Sequence, residues 1–473
     1  MTIGNIGVED TIIKIQEEIN KDKSVSPALL HSINLLITVV NLLVSRFKLD
    51  SRNSSLPPSS DQMAKRKRGK DRKKRKSKNN PGGQEGHEGS TLEQYEEPDE
   101  VIPLEIDRRT LPRGETFSHG EVEKRQVIDL HLDFIVREYQ AEVMIDSRGN
   151  RYTATFPEHI TKAIQYGASV RSLAVYLLQY QLVPYNRIQE LFKDQFGLEI
   201  SQSSLYNFNK EAYEKLEFFE AEAVKQLEDS PVLNADETGI VVNEEGAWLH
   251  VLSDNKTTIF FPHEKRGKTA MDALGVIKNF GGILCHDHWK PYLGYQCQHA
   301  LCNAHHLREL KWVIDFTKQK WASSIKRFLI KLNELVDKHG GILPEKDQAK
   351  QLKRYREIIK IGRSECPIMV RSTIDKRKGK IKQSKERNLL DRLADYENEV
   401  LLFMKVKNVP FTNNQAERDI RMVKVQQKIS GQFKSMEGAR YFCRIRSYLM
   451  TSKKRGHSPY DRLCMVFDPE FAE

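Results

Sequence analysis

From Ser230 to Leu293 the chain reads as strand, strand, strand, helix, strand, and that order limits the fold more than anything else in its 473 residues. "SPVLNADETGIVVN", "AWLHVLSD" and "TTIFFPHE" are consecutive β-like runs separated by turn residues. "KTAMDALGVIKNF" has helical spacing, and "GGILCHDHWKPYL" is another apolar run that ends in polar residues. A meander, a helix and a new strand predict a mixed α/β core.

Two acids sit where the strand runs turn polar. Asp236 lies in "LNADETG" and Asp287 in "ILCHDHW". Strand-end aspartates often cap turns, but a carboxylate in a buried strand is costly unless it is paired or bound to metal. A third acid, Glu417, lies in "PFTNNQAERDIRMVK" (Pro410–Lys424). Locally it reads as a helix salt bridge: Thr412, Asn413 and Asn414 are all good N-caps, and Arg421 stands one turn on. Two strand acids and a helical glutamate would also suit two divalent ions, Mg²⁺ or Mn²⁺, which prefer carboxylate oxygens. Such a pair, about 3.5–4 Å apart, can hold both the attacking and the leaving oxygen of a phosphodiester displacement. The element order is that expected of an RNase H-like core.

The net charge of +11 is concentrated in "KRKRGKDRKKRKSK" (Lys65–Lys78), which has eleven Lys and Arg against one Asp. Such an arm favours a polyanion partner through counterion release, over a solvated linker or a sorting signal. Its DNA-binding candidates are Lys65, Arg66, Lys67, Arg68, Lys73, Lys74, Arg75 and Lys76. Six cysteines suggest no disulfide framework. Met1–Asn20 is charged and mixed, unlike a signal peptide, and Ala28–Val44 is interrupted by His31, Asn34 and Asn41 and falls short of the ~20 apolar residues of a membrane span. A cytoplasmic protein with no membrane partner is expected, nucleoid-associated in a bacterium.

Residues 1–62 form a helical region. Leu29, Ile33, Leu36, Val40, Leu43 and Phe47 trace a heptad seam, either a dimerisation coiled coil or a packed helix. Residues 63–97 are a basic and Gly-rich linker, and 98–155 a small β subdomain with runs such as "RQVIDL" and "DFIVREYQAEVMI". Over 156–228 the pattern is helical, and "VPYNRIQELFKDQFGLEISQSSLYNF" reads as a helix-turn-helix with Gly197 at the break and Ser201 as N-cap. Its second helix would bring Ser203 and Ser204 to DNA. The core's first part covers 229–311, a helical insertion 312–405, the core's last part with the third acid 406–456, and a tail 457–473.

In order, "LNADETG", "HDHWKPY", "CNAHHLREL" and "TNNQAERDIR" resemble the DDE transposases of the insertion sequence sixty-six family, as do the leader stretches "SRNSSLPPSSD" and "PGGQEGHEG". The resemblance implies an RNase H-like domain with a large helical insertion, preceded by DNA-binding regions. It implies Asp236, Asp287 and Glu417 as a metal-holding triad that cuts and joins DNA at the ends of a mobile element. It also implies accessory proteins encoded by the element, while a homo-oligomer (dimer or higher) is expected from the N-terminal seam, which would pair protomers. A nuclease that does not join, and an idle DNA-binding derivative, are the rival readings. The family's zinc ribbon has no counterpart: Pro98–Asp129 contains no cysteine.

Cys302-x-x-His305 has ligand-like spacing but is half a site, so structural zinc is not expected there. His305 is expected to line the active site or contact DNA, and His286 and His288 to lie on the strand face opposite Asp287. Arg418 and Arg421, with Arg440 and Arg444 of the last helix, are the remaining candidates for phosphate contact. Trp289 and Tyr292 are expected to pack under their strand.

Overall fold

The computed structural model describes residues 2–3, 6–21, 26–47, 94–118, 121–130, 132–317, 319–369 and 381–468. At its centre is a five-stranded mixed sheet. β1 (Val232–Val242), β2 (Glu245–Ser253) and β3 (Thr258–His263) form the antiparallel meander that the alternation predicts. Asn243 and Glu244 join β1 to β2 with φ of 47° and 67°, the two left-handed positions of a hairpin turn whose twist matches the strands. β4 (Ile283–His286) and β5 (Gln298–Leu301) run parallel to β1 on its other side, so the sheet order is β3-β2-β1-β4-β5. β5 was not foreseen; four residues are too few to show an alternation.

The register explains where two acids go. Val232, Leu233 and Asn234 pair with Ile283, Leu284 and Cys285. Carried two residues further, it sets Asp236 level with Asp287, just past the end of β4. In parallel strands, residues at one level share a face.

The helices flank this sheet. α1 (Val8–Lys21) and α2 (Pro27–Phe47) stand at the N-terminus. On the expected seam Leu29 and Leu36 are 53% and 63% exposed, while Ile37, off the seam, is buried, as is Ile12. The β reading of 98–155 shrinks to one hairpin, Val143–Ile145 with Arg151–Thr153, closed by Asp146 accepting from the Arg148 and Asn150 amides. "RQVIDL" carries no strand, and Val127, Ile128 and Leu130 are exposed; with no facing strand among the described residues, their alternation has nothing there to pack on.

α3 (Ala168–Val175), α4 (Tyr185–Phe196), α5 (Gln202–Lys215) and α6 (Glu217–Glu228) form the helical region. Gly197 closes α4 in the left-handed conformation at φ 65°, and Ser201 caps α5 by accepting from the Ser204 amide, as the turn chemistry predicts. α7 (Lys268–Leu274) crosses from β3 toward β4, and α8 (Asn303–Thr317) follows β5. Over 312–405 the described residues are helical, led by α9 (Lys320–Lys338), α10 (Glu345–Glu365) and α11 (Lys385–Asp395). Trp321, Ile325, Phe328, Tyr355 and Leu390 form a core continuous with Ile283, Cys285 and Ala300 of the sheet.

α12 (Asn414–Ser430) and α13 (Met436–Lys454) cover the meander, packing Ala416, Ile420, Val423, Ala439 and Phe442 on Ile240, Leu249, Val251 and Phe260. The expected tail contains a last helix, α14 (Pro459–Phe467), whose Leu463 and Phe467 join the core of α3, α4 and α5.

Candidate acidic active site

The three acids stand on β1, just past the end of β4 and in the first turn of α12. Asn413 holds α12 there. It occupies the N-cap position, but its side chain makes no capping bond. Instead Nδ2 donates to the carbonyl of Ala235 at 2.7 Å, and the Asn413 amide donates to Cys302 Sγ at 3.1 Å. Further along, Lys424 Nζ donates to Gly239 O at 2.7 Å. Asp419 pairs with Lys454 of α13 at 3.0 Å and accepts from Thr258 Oγ1 at 3.2 Å. That buried pair ties the helix bearing Glu417 to both α13 and β3.

Burial pushes the Asp236 carboxyl well above the carboxylate range, and the charges of Glu237, Asp287 and Glu417 push it further. Its Oδ1 accepts from the Glu237 amide at 2.9 Å. Burial raises Asp287 as well, against the Trp289 amide, which donates to Oδ1 at 2.9 Å. A cluster of this kind stores repulsion that a cation relieves.

Glu417 is half-buried and its Oε1 accepts from Arg308 Nη2 at 3.1 Å. The expected partner Arg421 is exposed; the one found is 109 residues away, on α8. His305 Nδ1 stands 3.8 Å from the same oxygen and has no hydrogen-bond partner, although the atom is buried.

Behind Asp236, Glu237 points to the other face of the sheet with its side chain 2% exposed. Arg266 donates to its Oε1 from Nη2 at 2.6 Å and from Nε at 3.0 Å, and Tyr292 donates to Oε2 at 2.6 Å. The guanidinium lies between Trp248 and Trp289, 4.7 and 4.3 Å from their ring centres. Trp289 and Tyr292 therefore do pack, and with Arg266 they brace the residue next to Asp236. Sequence reasoning missed Arg266 because nothing local marks it.

The histidines beside Asp287 are interior. His286 shares a hydrogen bond of 3.0 Å with His299 and donates to the Asp287 carbonyl; burial lowers it to about 3. His288 packs on Tyr396 and His306, and burial lowers it to about 4.

The donor set fits divalent cations. It consists of partly buried carboxylates whose charges oppose one another at Asp236, and Asn413 Oδ1 beside them is buried without a partner. Among the described residues, the ligand atoms that all lie within 4.8 Å of one another are those of Cys302, His305 and Glu417, not the three acids. Two ions about 3.5–4 Å apart need a wider set than that.

Of the other candidates, Arg418, Arg421, Arg440 and Ser203 are exposed, and Ser204 is engaged in the cap of α5. Arg444 is a correction. It donates to Glu220 from Nε at 2.8 Å and from Nη2 at 2.5 Å, donates to Tyr213 O, and lies over the Tyr213 ring. It fastens α13 to α5 and α6. The arm residues Lys65, Arg66, Lys67, Arg68, Lys73, Lys74, Arg75 and Lys76 lie outside the described residues, as do the leader stretches.

Residues 163–441, from the helical region through α12 into α13, match a family described as Transposase IS66 family. The chain belongs to that family. Membership gives this IS66-family chain a transposition-related function and implies DNA as its partner. Residues 14–93 match a second family, DUF6444, described as a family of unknown function. No curated protein matches the chain. Among the described residues, no helix is long and apolar enough to cross a membrane.

Proposed function

We propose that this IS66-family chain binds the ends of its mobile element, cuts there to free 3′-hydroxyls, and joins those ends to target DNA on an RNase H-like core. The sheet order, three antiparallel strands with two parallel strands added beside the first, supports the fold reading. The observation that carries the chemistry is electrostatic: Asp236 feels the charges of Asp287 and Glu417, acids 51 and 181 residues further on.

Asp236, Asp287 and Glu417 would hold two Mg²⁺ or Mn²⁺. Bound there, such ions supply a more acidic attacking water or 3′-hydroxyl and charge stabilisation for the leaving oxygen. Both steps are displacements at phosphorus. In cutting, the water oxygen bonds to phosphorus and the 3′-oxygen of the element end leaves, taking a proton. In joining, that 3′-oxygen bonds to a target phosphorus and displaces a target 3′-oxygen. The chain's own residues set the stage: Asn413 fixes α12 against β1, the Arg266 brace holds the peptide beside Asp236, and Arg308 keeps Glu417 turned inward. Exposed Arg418, Arg421 and Arg440, together with the basic arm, would bind phosphates. A homo-oligomer would bring two ends together.

The test uses oligonucleotide duplexes carrying element ends, with Mg²⁺ present. Asp236→Asn, Asp287→Asn and Glu417→Gln should each cut nicking by about 100-fold or more while retaining DNA binding. Unchanged metal-dependent nicking in Asp236→Asn would end the triad assignment. Pre-cut ends with a free 3′-hydroxyl separate the rivals: a nuclease would not join them.

A further inference from the structure

We infer that Cys302, His305 and Glu417 form a site for a thiophilic divalent cation of the zinc class, and that its occupation withdraws Glu417 from the acidic cluster. The regulatory half rests on the function proposed above; the binding half does not.

The three candidate ligand atoms lie within 4.8 Å of one another. Cys302 comes from the turn into α8, His305 from that helix's first turn, and Glu417 from the first turn of α12, so two helix starts converge on one point. At Zn–S of about 2.3 Å and Zn–N or Zn–O of about 2.1 Å, the edges of a tetrahedral site are about 3.4–3.6 Å. Closing the set therefore asks for little more than an ångström of movement, within reach of the Glu417 side chain. A fourth position would fall to water or substrate.

The Cys302 sulfur accepts the Asn413 amide at 3.1 Å, and burial raises its thiol to about 11, so a cation bound there would have to displace the thiol proton. One further feature points to a ligand. His305 Nδ1 is buried without a hydrogen-bond partner, and it faces Glu417 Oε1 at 3.8 Å, too long for a hydrogen bond. A cation between these atoms would satisfy both.

Glu417 thus stands between two donor sets of different hardness. Asp236 and Asp287 offer oxygen and suit magnesium; Cys302 and His305 offer sulfur and nitrogen and suit zinc. Arg308 holds the same Oε1 at 3.1 Å and would have to yield it. Zinc would then inhibit magnesium-supported nicking by taking the third acid.

The full chain, stripped of metal, is titrated with Cd²⁺ and followed by thiolate-to-cadmium absorbance in the ultraviolet. The expected result is one equivalent bound, displaced by Zn²⁺, with the band abolished in Cys302→Ser and affinity down about tenfold or more in His305→Gln and Glu417→Gln. Circular dichroism confirms that each variant is folded; should Cys302→Ser not fold, the other two variants decide. No band, or a band of full strength in Cys302→Ser or in both other variants, overturns the site. In nicking assays with Mg²⁺, zinc should inhibit the wild type and lose its effect in His305→Gln, each measured against its own zinc-free rate. Zinc binding without nicking by the wild type would sink the proposed function and leave the site standing; nicking without zinc binding would do the reverse.

Discussion

Asn413 Nδ2 donates to the carbonyl oxygen of Ala235 at 2.7 Å, so a residue four before Glu417 grips the residue just before Asp236. One side chain thereby sets the spacing between the helix acid and the strand acid. Asn413→Ala removes the donor and strands a buried carbonyl, at a cost of about 1–3 kcal/mol. Nicking should fall further than stability implies, by up to about 100-fold, because small misplacements of reacting groups are expensive. Urea unfolding and single-turnover nicking, at equal DNA occupancy, measure the two effects. A loss of stability with full nicking would show that the grip does not align the acids.

This clamp marks the limit of what sequence makes visible. Alternation and turn residues located the meander, Gly197 and the Ser201 cap, because those signals are local and periodic. The same logic took Asn413 for a cap and Arg421 for the partner of Glu417, whereas the side chains reach across 178 and 109 residues to Ala235 and Arg308. Long-range hydrogen bonds leave no periodicity. Arg444 looked like a phosphate ligand for the same reason: its charge is plain in the sequence, but Glu220 is not. Alternation also overstated 98–155, since a strand pattern requires a partner strand to become a sheet.

Metal and protons compete for the acidic cluster. Asp236, Glu237 and Asp287 are all raised by burial. In metal-free protein their contribution to stability is therefore present at low pH and lost as pH rises through the folded values, above the ordinary carboxylate range. Divalent cations need the deprotonated forms and offset that loss. The gain in Tm on replacing EDTA with Mg²⁺ should be small in acid, grow toward neutral pH, and shrink at every pH in Asp236→Asn. A gain that is flat with pH would mean that the ions bind elsewhere.

The pair Asp419–Lys454 is buried, with the aspartate side chain 2% exposed. Asp419→Ala leaves an unpaired buried ammonium and should cost about 3–5 kcal/mol, while Asp419→Ala with Lys454→Met should recover much of that. Urea midpoints of the single and double variants decide the matter. No recovery in the double variant would place the role of Asp419 in its bond to Thr258 instead.

Arg266 is clamped between Trp248 and Trp289 and neutralises Glu237, and it also lowers Asp287. Arg266→Ala should raise both carboxyls, shift the pH–rate profile of nicking to higher pH and alter tryptophan fluorescence. Arg266→Lys keeps the charge but gives up the planar stacking and the forked hydrogen bonds. It should restore the pH profile more fully than the fluorescence. An unmoved profile in Arg266→Ala would reduce the brace to packing.

Exposed and committed arginines should part in salt titrations. Each phosphate that is no longer neutralised by the protein lowers the slope of log K against log salt by about 0.9. Arg418, Arg421 and Arg440 are exposed on α12 and α13, so replacing them with Ala, singly and together, should reduce the slope stepwise with little change in Tm. Arg444 is spent on Glu220 and Tyr213, so Arg444→Ala should lower Tm and leave the slope alone. Fluorescence anisotropy across a range of salt concentrations, beside thermal unfolding, reads both quantities. A slope that dropped for Arg444→Ala but not for the other three would mean that DNA breaks the Arg444–Glu220 pair and reads α13 from its other side.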